Sequence, residues 1–189
     1  MEFLNGVLAM SETIVPLAAV AFAIFWALCY HRVPAGHALV RIGFGGTRVE
    51  FSGMVVFPLL HHAELIDTTV KQLEISLIDA KALVCKDNIQ ANFTASFFLR
   101  VNNRSEDILR VATTIGAWRA ADVPVMSQLF AAKFTEVLQT ASGQLDFAEL
   151  NSDREAFKQL VLETMPGDLG GYALDGLAIE YLERTTPDT

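Results

Sequence analysis

The sequence lacks most of the features on which catalytic, metal-binding and extracellular proteins depend. It contains only two cysteines, Cys29 and Cys85, which do not form the CxxC spacing of a redox or zinc motif or suggest a disulfide framework. The glycine-rich stretch at residues 43–46 lacks the lysine that follows in a phosphate-binding loop, so it fits a hairpin turn. His61 and His62 are adjacent and would point to opposite faces of a strand, which is unsuitable for a shared metal ion. We therefore expect no metal, no cofactor and no enzymatic activity.

Positive charge is also scarce. The chain has 14 lysines and arginines against 22 aspartates and glutamates, a net charge of −8, without any run of basic residues. Nucleic-acid-binding proteins and polybasic lipid-binding patches need such runs, so neither is predicted. Apolar residues, in contrast, make up 52% of the chain, and the mean hydropathy is +0.35. We expect contact with membrane lipid to be hydrophobic.

The apolar residues are concentrated in one uncharged run, Thr13 to Tyr30, with the sequence TIVPLAAVAFAIFWALCY. As a helix this run would extend about 27 Å, close to the ~30 Å hydrocarbon core of a bilayer. A cleaved signal peptide would start with basic residues, whereas Glu2 and Glu12 are the charges here. A buried core helix would need a larger protein around it. We interpret the run as a retained transmembrane helix whose lipid-facing residues include Ile14, Val20, Phe25, Trp26 and Tyr30.

The charges on either side of this run predict its orientation. Acidic residues precede it, and Arg32, Arg41 and Arg48 follow it. The positive-inside rule then places the N-terminus outside and the remainder of the chain in the cytoplasm.

The rest of the chain divides into a strand-rich part and a part with helices. Short apolar or alternating runs separated by glycine or polar breaks predict strands at Ala38–Ile42, Met54–Leu60, Ala63–Asp67, Lys71–Leu77, Ala82–Cys85 and Ile89–Val101. Three helices are then expected: one capped by Ser105, one from Pro124 to Ala141, and one that starts with a capping box formed by Ser152 and Glu155. A last strand over Leu174–Leu182 completes an α+β fold.

The strand Ile89–Val101 alternates regularly except at Phe98, an aromatic residue on the polar face beside Arg100. Two interpretations are open. Phe98 lies beneath one of the helices, or Phe98 and Arg100 form a contact with a neighbouring subunit.

The run Met54–Leu60 is apolar on both faces, so it too has two interpretations. It is a strand buried on both sides, or it places Phe57, Leu59 and Leu60 in the lipid interface beside the transmembrane helix.

The order of these elements, together with several motifs, resembles the SPFH or band 7 superfamily of stomatins, prohibitins and flotillins, and most of all the bacterial flotillin-like inner-membrane proteins. The motifs are "VRIGFGG", "SGMVVFP", the turn at Lys86 and Asp87 that leads into "FFLRV", and "LDGLAIEYL". The resemblance implies a short N-terminal segment (1–12), a transmembrane helix (13–30), a β-rich SPFH subdomain (36–104) and an α/β SPFH subdomain (105–185). In such families a coiled coil follows the domain and drives assembly. Residues 186–189 resemble a helix start, so two interpretations are open: a short protein with a frayed tail, or the start of such a coiled coil that this chain lacks.

The resemblance implies a non-enzymatic scaffold in the cell inner membrane that binds membrane lipid, forms homo-oligomers laterally and organises membrane microdomains. A second hypothesis is a regulator of another membrane protein, such as a membrane protease or a small membrane-anchored partner. A third, an anchored hydrolase, would need a cluster of polar residues that the sequence does not contain.

Overall fold

The computed structural model describes residues 2–43, 45–57 and 60–185, with the side chains of the first helix described from Pro16 onward. In chain order the elements are α1 (Glu2–Cys29), β1 (Tyr30–Arg32), β2 (His37–Gly43), β3 (Arg48–Glu50), β4 (Gly53–Val55), β5 (His61–Asp67), β6 (Lys71–Leu77), a 3-10 turn (Asp79–Lys81), β7 (Leu83–Val84), β8 (Gln90–Val101), α2 (Ser105–Thr114), α3 (Val123–Ser142), α4 (Phe147–Ser152), α5 (Arg154–Thr164) and β9 (Tyr172–Arg184). The predicted α+β class with antiparallel sheets is confirmed.

The first helix differs from its predicted bounds at both ends. It begins at Glu2 rather than Thr13, and it ends at Cys29, so that Tyr30 is the first residue of β1. Tyr30 leaves the helix because its backbone pairs with Val55 of β4. Within the described part of the chain, no helix combines the length and the apolar character needed to cross a bilayer.

The largest sheet is built around β8. Strand β6 pairs with it on one side, from Lys71 opposite Leu99 to Leu77 opposite Phe93, and β7 continues that side. Strand β9 pairs along the other side. Because the last strand joins the sheet of β8, residues on both sides of position 104 share one sheet; the predicted division into two subdomains at that position stays a prediction.

One face of this sheet forms the core with the helices. The alternation predicted for β8 is confirmed, because every second residue from Ala91 to Val101 is buried. Phe97 stacks on Phe134 of α3, with ring centroids 4.2 Å apart, and Phe93 contacts Phe157 of α5 edge to face at 5.6 Å. The buried face of β8 therefore packs against the apolar faces of α3 and α5 and forms one hydrophobic layer between sheet and helices.

The opposite face of the sheet is polar. Strand β9 has two register shifts against β8, between Thr94 and Ala95 and between Phe98 and Leu99. The extra residues are carboxylates: Glu180 accepts a hydrogen bond from Ser96, and Asp175 accepts one from Arg100. A bulge adds a residue without a direct partner, and here both added side chains lie on the face away from the helices.

A smaller sheet has the strand order β3-β2-β5, and α2 contacts β2 and β3. The turn from β5 to β6 joins this sheet to the main one. Asp67 holds that turn, accepting hydrogen bonds from the Thr69 N–H at 2.8 Å, the Thr69 hydroxyl at 2.6 Å and the Lys71 ammonium at 2.7 Å. Thr68 N–H also donates to the Gly36 carbonyl at 2.8 Å, which ties the turn to the start of β2.

Two predicted helix starts are wrong. Ser152 does not cap α5 but ends α4, a helix that the sequence did not predict, and its hydroxyl donates to the Glu149 carbonyl. The cap of α5 is Asp153, whose carboxylate accepts from the Ala156 N–H at 3.0 Å. Aspartate caps as well as serine does, so two adjacent candidates were not separable by residue type.

The first helix after β8 starts one residue earlier than predicted, at the residue that was expected to cap it. Ser105 is already helical, and Arg104 occupies the cap position without a side-chain hydrogen bond. Asn102 instead donates to the Asp107 carboxylate at 2.7 Å and fixes the entry to the helix.

Candidate membrane-contact surface

The first helix continues into the sheet without a linker. Tyr30 follows Cys29 directly, and β1 pairs with β4 from Tyr30 opposite Val55 to Arg32 opposite Gly53. The Val56 N–H donates to the Cys29 carbonyl at 2.8 Å, which extends the pairing to the last residue of the helix. The chain around Val56 is therefore held against the C-terminal end of α1.

This pairing needs a glycine at the start of β4. A Cβ atom on Gly53 would lie 2.9 Å from the His31 carbonyl oxygen and 3.0 Å from the Tyr30 hydroxyl oxygen. The carbonyl belongs to the paired strand and cannot move independently, so a side chain at this position would separate β4 from β1.

The segment after β4 brings aromatic side chains to the end of α1. The Phe57 ring lies 6.4 Å from the Phe25 ring, centroid to centroid, in a stacked arrangement, and 5.9 Å from the His61 ring. The Phe57 N–H donates to His61 Nδ1 at 3.3 Å, which fixes this turn. Leu60 is 58% exposed beside it.

The described part of α1 exposes apolar side chains in several directions. Leu17 is 74% exposed and Leu28 is 72% exposed, and large exposed fractions are shared by Val20, Phe22, Ile24, Phe25 and Trp26. Contiguous apolar surface of this kind is rare on soluble monomers and marks contact with lipid or protein. Together with Tyr30, Phe57 and Leu60, these side chains form what we call the membrane-contact surface.

The structure thus places most of the predicted lipid-facing residues on one surface. Val20, Phe25, Trp26 and Tyr30 lie on α1 or directly after it, and the turn adds Phe57 and Leu60. Ile14 and Leu59 lie outside the described side chains. Contact of these residues with lipid stays a prediction.

For the described residues of the run Met54–Leu60, the interpretation as a strand buried on both faces is wrong. Strand β4 ends at Val55, and its three residues are half-buried. The last hydrogen bond of the pairing is the one from the Val56 N–H to the Cys29 carbonyl at the end of α1, and the chain then turns at Phe57. No sequence signal indicated the contact between Phe25 and Phe57, since it depends on the pairing of β1 with β4.

The predicted subunit contact, Phe98 and Arg100, lies on the polar face of the main sheet. Phe98 is half-buried opposite Gly176, and it is not part of the main core. Arg100 Nε lies 2.9 Å from both carboxylate oxygens of Asp175. Because α3 and α5 pack on the other face, the interpretation that Phe98 lies beneath a helix is wrong. Its role as a subunit contact stays a prediction.

The described residues offer no cluster of three histidine, cysteine or acidic side chains suited to a metal ion. His62 pairs with Glu64, with 2.9 Å between Nε2 and the Oε1 carboxylate oxygen, and no third ligand joins them among the described residues. Burial raises the pKa of the Cys85 thiol to about 11, with the negative charges of Asp87 and Asp146 adding to the rise. The thiol is therefore protonated at neutral pH and is a poor nucleophile.

The known family whose sequence pattern matches this chain is the SPFH domain / Band 7 family, over residues 31–189. The chain belongs to this family. The match starts at His31, within β1, so the SPFH domain begins directly after α1 and includes the turn at Phe57. The resemblance seen in the sequence motifs is confirmed.

Two curated proteins are similar to this SPFH-domain chain. It is 29% identical to the flotillin family inner membrane protein YqiK of Escherichia coli (strain K12) over 192 residues, which cover 99% of this chain and 34% of that protein. It is 24% identical to the flotillin family inner membrane protein sll1021 of Synechocystis sp. (strain ATCC 27184 / PCC 6803 / Kazusa) over 164 residues, which cover 82% of this chain and 24% of that protein. The SPFH-domain chain thus spans about a third and about a quarter of the length of these relatives.

Proposed function

We propose that the chain is a non-enzymatic membrane scaffold of the flotillin type. In this proposal, residues 13–29 of α1 cross the cell inner membrane with the N-terminus outside, and the SPFH domain lies against the cytoplasmic leaflet. The uncharged sequence of this run and the exposed apolar side chains of α1 support the anchor. The names of the two relatives, both inner membrane proteins, agree with the compartment.

The observation that carries the proposal is the hydrogen-bonded joint between α1 and the SPFH domain. With β1 starting at Tyr30 and Val56 bonded to Cys29, the helix and the β1–β4 sheet form one continuous unit. A flexible linker would let the domain move away from the bilayer. We infer that this joint keeps Phe57 and Leu60 close to the end of α1, and therefore at the lipid surface if α1 crosses the bilayer.

Lateral association is the second part of the proposal. Strands β6 and β9 are the two edges of the main sheet, and in the described part of the chain each pairs only with β8. Open strand edges are surfaces on which another chain can pair. In this proposal, the polar face with Phe98 and Arg100 forms a second contact between neighbouring subunits. Anchoring confines neighbours to two dimensions, and this raises their effective concentration, so that weak contacts suffice for assembly into microdomains.

Cross-linking in native membranes tests the assembly. Glu74 is exposed and lies opposite Ser96, on the same face as Phe98, whereas Glu163 is exposed on α5. We would introduce Glu74→Cys or Glu163→Cys and treat membranes with a bis-maleimide. The native cysteines are both buried and give a low background.

The scaffold predicts a ladder of homo-oligomers from Glu74→Cys and little product from Glu163→Cys. One defined complex with a different protein would favour the regulator hypothesis over the scaffold. Monomer alone at both positions would contradict lateral association through the polar face.

A further inference from the structure

Two arginines lie directly opposite each other on neighbouring strands. Arg41 of β2 is paired with Arg48 of β3. Opposed residues of an antiparallel pair lie on the same face with Cβ atoms about 5 Å apart, and two like charges in this position repel each other. An anion close to both would remove that repulsion.

The described part of the protein supplies no such anion. Its ion pairs involve other side chains, and neither guanidinium is within ion-pair distance of a carboxylate. Glu50 lies on the same face, opposite Leu39, but it too forms no ion pair. Within the described residues, the charges of Arg41 and Arg48 are therefore uncompensated.

Arg41 also has an unused hydrogen-bond donor. One of its terminal nitrogens, Nη1, donates to the Val55 carbonyl at 3.3 Å, which positions the guanidinium under β4. Its Nε is buried and has no hydrogen-bond partner. A buried donor without a partner is costly, more so on a charged group, so an acceptor at this place would stabilise the fold.

The pair lies beside the membrane-contact surface. Val55 is two residues before Phe57, whose ring contacts α1, and Arg32 is paired with Gly53 at the start of the same strand. The hydrogen bond to Val55 thus places the Arg41 guanidinium at the strand that pairs with the end of α1, while Arg48 lies opposite Arg41 and Arg32 lies three residues after the helix. If α1 crosses the bilayer, this is the depth at which lipid phosphates lie. Guanidinium groups match phosphate oxygens in geometry and charge.

We propose that Arg41 and Arg48, assisted by Arg32, bind the phosphate of an anionic phospholipid headgroup in the leaflet that contacts the SPFH domain; this rests on the proposed membrane anchor. The net charge of −8 gives the whole chain no general attraction to an anionic surface. Headgroup binding would therefore occur at a local site rather than at a polybasic patch. The site could not be predicted from the sequence, because the pairing of β2 with β3 is what brings the arginines together.

The test is a lipid titration of the full chain in neutral detergent micelles, with thermal unfolding followed by circular dichroism. Short-chain phosphatidylglycerol, phosphatidylcholine and inorganic phosphate are added in separate series. We expect phosphatidylglycerol to raise the Tm of the wild type by several degrees in a saturable manner, and the other two to have little effect. Arg48→Gln should lose more than half of the rise in Tm, because it removes one of the two opposed guanidinium groups. Arg48 is exposed, so we expect its replacement to leave the fold intact.

Arg41→Lys keeps the charge but removes the guanidinium geometry, and it should lose a similar part of the rise. Arg110→Gln is the matched control: Arg110 is an exposed arginine of α2 paired with Asp168, and its replacement should leave the rise unchanged. Full responses from both Arg48→Gln and Arg41→Lys would overturn the proposal. An equal shift with inorganic phosphate would replace the lipid by free phosphate, and an equal shift with phosphatidylcholine would show that headgroup charge is irrelevant. A chain that stays soluble without detergent would refute the anchor separately, whatever the titration shows.

Discussion

Replacing Asp67 with asparagine should weaken the joint between the two sheets in a pH-dependent way. Burial alone would raise the pKa of this carboxyl group, but the hydrogen bonds from Lys71 and Thr69 outweigh it and lower the pKa from 3.8 to about 2. The folded state thus favours the ionised carboxylate. Asparagine keeps one acceptor for the Thr69 N–H but loses the charge that Lys71 contacts.

The expected loss of unfolding free energy follows from the shift in the pKa of Asp67. Just under two pH units corresponds to roughly 2 kcal/mol, and partial exposure of the carboxylate reduces this to about 1–2 kcal/mol. Since the folded pKa is lowered, this stabilisation is fully present above pH 3.8, the unfolded value, and is lost as the pH falls through about 2. The difference in unfolding free energy between wild type and Asp67→Asn should therefore be largest near neutral pH and shrink towards pH 2.

The assay is urea unfolding of both proteins in neutral detergent at a series of pH values, with circular dichroism as the readout. Asp168→Asn serves as the control, because hydrogen bonds from Gly170 and Arg110 also lower the pKa of Asp168, but that carboxylate is fully exposed. A wild-type-to-Asp67→Asn difference that stays constant with pH would refute the reasoning. So would an equal loss in the Asp168 variant.

Three further predictions concern the core, the buried thiol and the helix caps. Phe97→Ala should lower the free energy of unfolding by about 3–5 kcal/mol, because Phe97 is fully buried in the aromatic stack, whereas Phe98→Ala should cost less than half as much. Thermal unfolding of both variants measures the difference, and equal losses would contradict the assignment of Phe97 and Phe98 to opposite faces of the sheet. Cys85 should react with a maleimide at neutral pH only after urea unfolding, since its pKa is raised to about 11; rapid labelling of the native protein, read by mass spectrometry, would contradict this. Asp146→Ala should cost about 1 kcal/mol of stability by removing the capping box that Asp146 and Glu149 form at the start of α4, while Ser152→Ala should cost well under that. A larger loss from Ser152→Ala would instead support Ser152 as the cap of α5.

The elements with strong periodicity were predictable from the sequence. Strand β6 has its predicted bounds, Lys71–Leu77, and α3 extends only one residue beyond the predicted Pro124–Ala141 at each end. These segments combine a regular apolar pattern with clear breaks on both sides, so local signals and tertiary packing agree.

The exceptions arise where tertiary pairing decides. Residue type alone could not separate Ser152 from Asp153 as the cap of α5. The sequence also gave no sign of the two bulges in β9, which place Asp175 and Glu180 on the polar face, because a bulge is defined by the partner strand.

In the candidate site too, the apolar residues were predictable from the sequence, whereas their tertiary contacts were not. The apolar residues Phe57 and Leu60 were predicted beside the helix, but the contact of Phe57 with Phe25 depends on the pairing of β1 with β4. The pair formed by Arg41 and Arg48 was missed because a count of charges along the chain does not reveal cross-strand neighbours.

The most direct test of the account is to ask how the full chain is held in bacterial membranes. Membranes containing the chain are washed with alkaline carbonate and then with detergent, and intact inner-membrane vesicles of both orientations are treated with protease. The account predicts that the chain resists carbonate, is released by detergent, and loses its SPFH domain to protease only where the cytoplasmic face is exposed. Release of the chain by carbonate, or digestion of the domain from the opposite face, would contradict the claim that residues 13–29 anchor the SPFH domain at the inner leaflet.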